Sequence, residues 1–203
     1  MVLGSSAVQN ISGHEHPVNT IIKDGDNYTC QHLMFTDTDD SGQSWNNRNA
    51  FATNVAFTAD KVSFNRQFAK QHTTLCLPYS LTAAQLNSLF GTNTWYAYKG
   101  VSENGSNIVF EEKTNTATIA NQPMLIIPGN NGQLMGNGIE GEFAVSPMGT
   151  LSDTGFLPTY CWMEGYNDAN YAYYLFNTEG NCVKVGNEGF DTKPFRAYIK
   201  IPA

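Results

Sequence analysis

Val62-Ser63-Phe64-Asn65-Arg66-Gln67-Phe68 and, near the end of the chain, Phe195-Arg196-Ala197-Tyr198-Ile199-Lys200-Ile201 decide the fold class. In the first stretch Val62, Phe64, Arg66 and Phe68 alternate with Ser63, Asn65 and Gln67. In the second, Phe195, Ala197, Ile199 and Ile201 alternate with Arg196, Tyr198 and Lys200. Successive side chains of a strand point to opposite faces, so a period of two with one apolar set is the mark of a half-buried strand. Arg196, Tyr198 and Lys200 share the face opposite the apolar one and read as an ordinary solvated surface.

Outward from these stretches the pattern repeats more weakly. Strands are expected at 28–36, 73–79, 94–101, 107–112, 116–120, 124–127, 142–146, 160–164, 171–176 and 182–185. Turn chemistry separates them, as in Asn104-Gly105, Asn137-Gly138 and Glu179-Gly180-Asn181. Pro78 and Pro123 belong at strand ends or edges, because proline cannot donate to a ladder. One helix interrupts the series. Thr82 and Gln85 have the spacing of a capping box, Leu81 and Leu86 that of a hydrophobic staple, and Gly91 supplies a stop after Phe90. The spacing predicts a helix over 83–90.

Many short strands with frequent turns predict an all-β fold. The expected form is a two-sheet sandwich of jelly-roll-like or Greek-key type with that one short helix, with a β-barrel as the alternative. Residues 1–17 read as a loose N-terminal tail and 18–203 as a single sandwich domain.

Composition agrees with such a fold and excludes several functions. Of the 203 residues 41% are hydrophobic and only 14% charged, unlike an acidic disordered tail or a coiled coil. The net charge is −7, and the eleven basic residues are scattered, so no nucleic-acid footprint is expected. The longest purely apolar run is Met124 to Ile127, too short to span a membrane as a helix. The first residues lack a basic segment followed by an apolar one; with a chain rich in Asn, Thr, Ser and Gly, the expectation is a secreted or cell-surface protein whose signal peptide has been removed. Cys30, Cys76, Cys161 and Cys182 allow three disulfide connectivities, or none, and no Cys-x-x-Cys pair marks a zinc or redox site.

Several phrases in order carry a resemblance. They are Tyr28-Thr29-Cys30, the run from Phe57 to Arg66, Thr74-Leu75-Cys76-Leu77-Pro78-Tyr79, Ala120-Asn121-Gln122-Pro123-Met124-Leu125-Ile126, and Lys193-Pro194-Phe195-Arg196-Ala197-Tyr198-Ile199. Over residues 19–201 the chain resembles a β-rich module of secreted or surface-attached proteins of Bacteroidetes bacteria, often found at the C-terminal end of larger proteins. The resemblance implies an all-β module at the cell surface and brings no catalytic motif.

Candidate chemistry is sparse. Asp40-Ser41-Gly42 and Asp153-Thr154-Gly155 match the tripeptide of aspartic proteases, but Asp40 follows a polar run rather than a buried strand, and both fit turns. Asp37, Asp39 and Ser41 begin like an EF-hand loop, yet Arg48 stands at the twelfth position, where a bidentate carboxylate is needed; a looser Ca²⁺ site at Asp37, Asp39 and Asp40 is the remaining form. Glu140 and Glu142 share a strand face at about 7 Å and read as exposed acids. His14 and His16 lie in the tail without a third ligand. His72 and Cys76 are about 13 Å apart along a strand, too far for a nucleophile pair. No cofactor, metal or enzymatic activity is expected.

Aromatic residues are the stronger signal. The chain holds three Trp, ten Tyr and twelve Phe, and Trp162, Tyr166, Tyr171, Tyr173 and Tyr174 crowd one stretch with Asn167, Asp168 and Asn170. A sugar ring stacks its C–H face on an aromatic ring while amides and carboxylates take its hydroxyls. Trp45, Trp162, Tyr166 and Tyr171 are the expected ligand-binding residues, with Tyr173 and Phe176 assigned to the core. The expected function is a non-catalytic extracellular module recognising a glycan or a partner protein; the alternatives are a structural module of a surface protein and, remotely, a glycoside hydrolase.

Overall fold

The computed structural model describes residues 2–4, 18–36, 55–68, 70–105, 107–129, 132–134, 138–147, 149, 151–160, 163–165 and 169–203. The first sheet contains β1 (Val2–Gly4), β2 (Ile21–Asp24), β3 (Asn27–Cys30), β4 (Leu33–Thr36), β5 (Phe57–Phe68), β10 (Gly132–Leu134) and β11 (Ile139–Val145). Its spine is the long strand β5, along which β3 and β4 lie parallel and β10 and β11 antiparallel. The second sheet has β6 (Thr73–Leu75), β9 (Met124–Ile126), β7 (Thr94–Val101) and β8 (Ile108–Thr114), in that order. The third has β12 (Gly155–Thr159), β17 (Arg196–Pro202), β14 (Tyr171–Phe176) and β15 (Cys182–Lys184). β13 (Met163–Gly165) and β16 (Phe190–Thr192) form a separate two-stranded ribbon.

The second sheet is covered on both faces. Trp95, Ala97, Met124 and Ile126 face a large core shared with Val62, Phe64, Phe68 and Phe143 of the first sheet. Tyr96, Tyr98 and Leu125 face a smaller core with Phe156, Ala197 and Ile199 of the third. The expected sandwich is therefore present, with a further sheet packed against it, and the sheets described do not close into a barrel. Each fully buried large apolar side chain, such as Phe35 or Phe64, contributes roughly 1.5–3 kcal/mol to holding these layers together.

The helix, α1 (Ala83–Phe90), has the ends that its sequence demands. Gln85 N–H donates to Thr82 Oγ1, Thr82 N–H donates to Gln85 Oε1, and Gly91 closes the helix in the left-handed region at φ 66°. Residues 116–120, expected as a strand, are not one. Thr118 is buried beside the entrance of α1, where its N–H donates to Leu81 O and its Oγ1 accepts from Leu81 N–H, both at 2.8 Å. The first of these bonds takes the Thr118 N–H that a sheet ladder would use.

One departure from simple alternation shapes the site. Phe195 does not share a core with Ala197 and Ile199. It lies in the large core, stacked on Phe35 with ring centroids 4.1 Å apart, while Ala197 and Ile199 lie in the smaller one. Its backbone is left-handed, φ 60°, a conformation uncommon for a bulky residue, and this turn just before β17 redirects the chain. Arg66 keeps the inward direction that alternation gives it and is 2% exposed.

Candidate functional site

The antiparallel pairing of β14 with β17 sets Tyr173 opposite Lys200 and Tyr174 opposite Ile199. Ala172 is buried, and Tyr174 and Phe176 pack on the smaller core. Tyr171, Tyr173 and Leu175 therefore share the outer face, with Arg196, Tyr198 and Lys200 beside them. Tyr173 is thus not a core residue: it is half-buried, because the odd positions of β14 face away from the core. Phe176 is half-buried against the core.

On that outer face the rings meet. Tyr173 and Tyr198 stack at 6.2 Å with planes 27° apart, and Phe190 of β16 lies 5.5 Å from Tyr173 and 5.6 Å from Tyr198. Lys200 Nζ sits 3.9 Å from the Tyr171 ring centroid and 5.9 Å from that of Tyr173. All five side chains are half-buried. Burial, and then the neighbouring Tyr173, push the Tyr198 hydroxyl above its ordinary pKa, so it stays a neutral donor and acceptor at physiological pH. Gly165 is what admits Phe190: a Cβ at Gly165 would lie 2.4 Å from two atoms of that ring.

The ladder runs on to two arginines. Along β17 Arg196 is one outer-face step, about 7 Å, from Tyr198. Arg196 borders a cleft of about 220 Å³ whose lining also includes Arg66, Phe68, His72, Thr73 and Asn177. An adjoining recess of about 180 Å³ shares Thr73, Phe176 and Arg196 and adds Leu175, Asp191 and Lys193. Arg66 is held in place by Nη1 donating to Thr74 O at 3.0 Å and Nη2 to Thr73 Oγ1 at 2.6 Å, with its guanidinium carbon 4.3 Å from the Phe68 ring centroid. Thr74 Oγ1 in turn accepts from Ala197 N–H, which ties β6 to β17 beneath the cleft.

Of the expected binding residues, Tyr171 belongs to this face. Trp45, Trp162 and Tyr166 lie outside the described residues, as do Asp37, Asp39 and Asp40, His14 and His16, and Cys161. Among the described residues no group of three or more His, Cys, Asp or Glu is placed to hold a metal ion, and no helix is long and apolar enough to cross a membrane. Glu140 and Glu142 are exposed, and the ladder is irregular between Glu140 and Phe143, so the two do not follow regular alternation. Asp153 is exposed in the turn before β12. His72 is exposed and rests on Tyr96, whereas Cys76 is buried against Tyr160, so the two do not form a pair.

Cys30, Cys76 and Cys182 are free thiols, so no two of them are bridged. Sequence reasoning missed Tyr198, Phe190 and the two arginines of the cleft. The polar alternation of β17 concealed Tyr198 and Arg196. Only the pairing of β14 with β17 and of β13 with β16 reveals where Tyr198 and Phe190 lie.

No protein-family model, curated protein or solved structure matches this chain.

Proposed function

We propose that the chain is a non-catalytic carbohydrate-recognition module of a secreted or surface-attached protein, with the outer face of β14 and β17 as its binding surface. One observation carries this reading: Tyr173, Tyr198 and Phe190 from three strands pack ring against ring, and Lys200 joins Tyr171 to them on the same half-buried face. Rings held by a sheet lose little conformational freedom on binding, and they offer flat apolar area beside polar edges, which is what a pyranose ring requires. Lys200 and the tyrosine hydroxyls are the polar groups of that face that would take sugar hydroxyls. Pairing through a sheet edge is less favoured, because the edge strand β8 carries exposed Glu111 and Glu112, and Lys113 and Lys99 engage Glu111 at 2.6 and 3.4 Å.

A glycan-array screen of the purified chain beside Tyr198→Ala tests the reading. Binding to a defined set of glycans that is lost in the folded variant is the expected result. No binding across mucin-type, plant and microbial glycans, or binding indifferent to the substitution, would overturn it.

A further inference from the structure

The arginine end of the ladder has a chemistry of its own. The chain contains only three arginines, and two of them, Arg66 and Arg196, line a single cleft. They reach it from different sheets, Arg66 from β5 and Arg196 from the first position of β17. Among the described lining residues every ionisable group is basic: Arg66, Arg196 and His72. The adjoining recess, which shares Arg196, adds Lys193 and Asp191.

The two guanidiniums differ in role. Arg66 is buried and fixed by Thr73, Thr74 and the Phe68 ring, so its charge is part of the cleft floor. Arg196 is half-buried, and its position is set by the left-handed turn at Phe195 and by its own N–H donating to Thr159 Oγ1 at 3.2 Å. A guanidinium presents its N–H donors in a planar fork that matches a carboxylate or sulfate. Asn177 and Thr178 add polar side chains to the rim.

Resting on the carbohydrate reading above, we infer that this cleft receives the acidic group, carboxylate or sulfate, of an acidic saccharide whose neighbouring ring lies on Tyr198 and Tyr173. Continuity selects this ligand. Arg196 is one outer-face step from Tyr198, so a single oligosaccharide reaches both features. The cleft is only about 220 Å³, and the acidic remainder of the protein disfavours densely charged polymers such as nucleic acid.

Calorimetric titration of the full chain with three hexasaccharides tests this: chitohexaose as the neutral probe, hexagalacturonate as the carboxylate and a chondroitin sulfate hexasaccharide as the sulfate. The expected result is at least tenfold tighter binding of one acidic probe than of the neutral one. That preference should weaken with added salt, disappear in Arg196→Gln and be partly kept in Arg196→Lys. Which acidic probe leads distinguishes carboxylate from sulfate. If Arg196→Gln fails to fold, Arg196→Lys and the salt dependence of the native chain decide. Neutral binding that depends on Tyr198, with no acidic preference, would overturn the inference and leave the carbohydrate reading standing. Acidic preference unchanged in folded Arg196→Gln would also overturn it. Absence of binding to all three probes, together with a silent array, would overturn both.

Discussion

Tyr173 and Tyr198 stack across neighbouring antiparallel strands, with ring centroids 6.2 Å apart and planes 27° from parallel. The contact follows from register: Tyr173 faces Lys200, which places Tyr198 diagonally beside it on the same face. Phe190 completes the cluster from a separate ribbon.

Tyr198→Ala removes the ring that touches both others. It should lower affinity for any glycan bound on the array at least tenfold, about 1.4 kcal/mol, while the protein still unfolds cooperatively. Gly165→Ala acts on the same surface from outside it, since the added methyl must displace the Phe190 ring. It should lower both thermal stability and glycan affinity. Native-like affinity in a folded Tyr198→Ala protein would remove the ladder from the binding surface.

The same chemical change should have opposite consequences at two buried tyrosines. Tyr79 is 1% exposed, stacked with Phe35, and its hydroxyl has no hydrogen-bond partner among the described residues. Tyr160 is also buried, but its hydroxyl donates to Asn121 Oδ1 at 2.6 Å and lies 3.2 Å from Cys76 Sγ, while Asn121 Nδ2 donates to Pro147 O at 3.1 Å. Tyr79→Phe deletes an unsatisfied polar atom and should be neutral or stabilising by about 1 kcal/mol. Tyr160→Phe leaves Asn121 and Cys76 short of a partner and should destabilise by about 1–3 kcal/mol. Urea denaturation of both variants gives the comparison; equal losses would show that Tyr79 is satisfied in solution.

How far the fold can be read from the sequence depends on the range of the determinants. Helix α1 was fully legible, because Thr82, Gln85, Leu81, Leu86 and Gly91 act within one short segment. The alternation of β5 and β17 was legible for the same reason. Residues 116–120 were not, since Thr118 bonds to Leu81, 37 residues away, in place of a strand neighbour. Nothing local announces the left-handed backbone of Phe195, which the surrounding aromatic core imposes. For the site, Tyr171 could be singled out from its aromatic context, but Tyr173 looked like core and Tyr198 like solvated surface until pairing brought them together.

His32 should make stability depend on pH. Its Nε2 is 2.7 Å from Ser63 Oγ, and burial, then the nearby Lys61 charge, hold its pKa below the ordinary 6.5. The folded state thus binds the proton less readily than the unfolded chain. The resulting stability is complete above about pH 6.5 and declines as pH falls through that value toward the lowered folded-state pKa. His32→Gln retains a polar partner for Ser63 and cannot titrate. Between about pH 7.5 and 5 the native chain should lose more stability than this variant in parallel urea denaturations. Equal losses would remove His32 as the source.

The three described thiols should separate sharply in reactivity. The thiolate is the nucleophile, so exposure and pKa together set the rate of alkylation. Cys30 and Cys76 are fully buried, and burial pushes their pKa up to about 11 and about 12. At Cys76 the Tyr160 hydroxyl offsets this only in part. Cys182 stands at the start of the edge strand β15 and is exposed, although partial packing of its sulfur raises its pKa too. Iodoacetamide at about pH 8.5, followed by peptide mass mapping, should label Cys182 in the native protein. Cys30 and Cys76 should react only once urea opens the large core that contains both. Labelling of Cys76 without loss of the native fold would mean that this core opens locally, and the Cys76–Tyr160–Asn121 chain would then be too weak to make Tyr160→Phe costly.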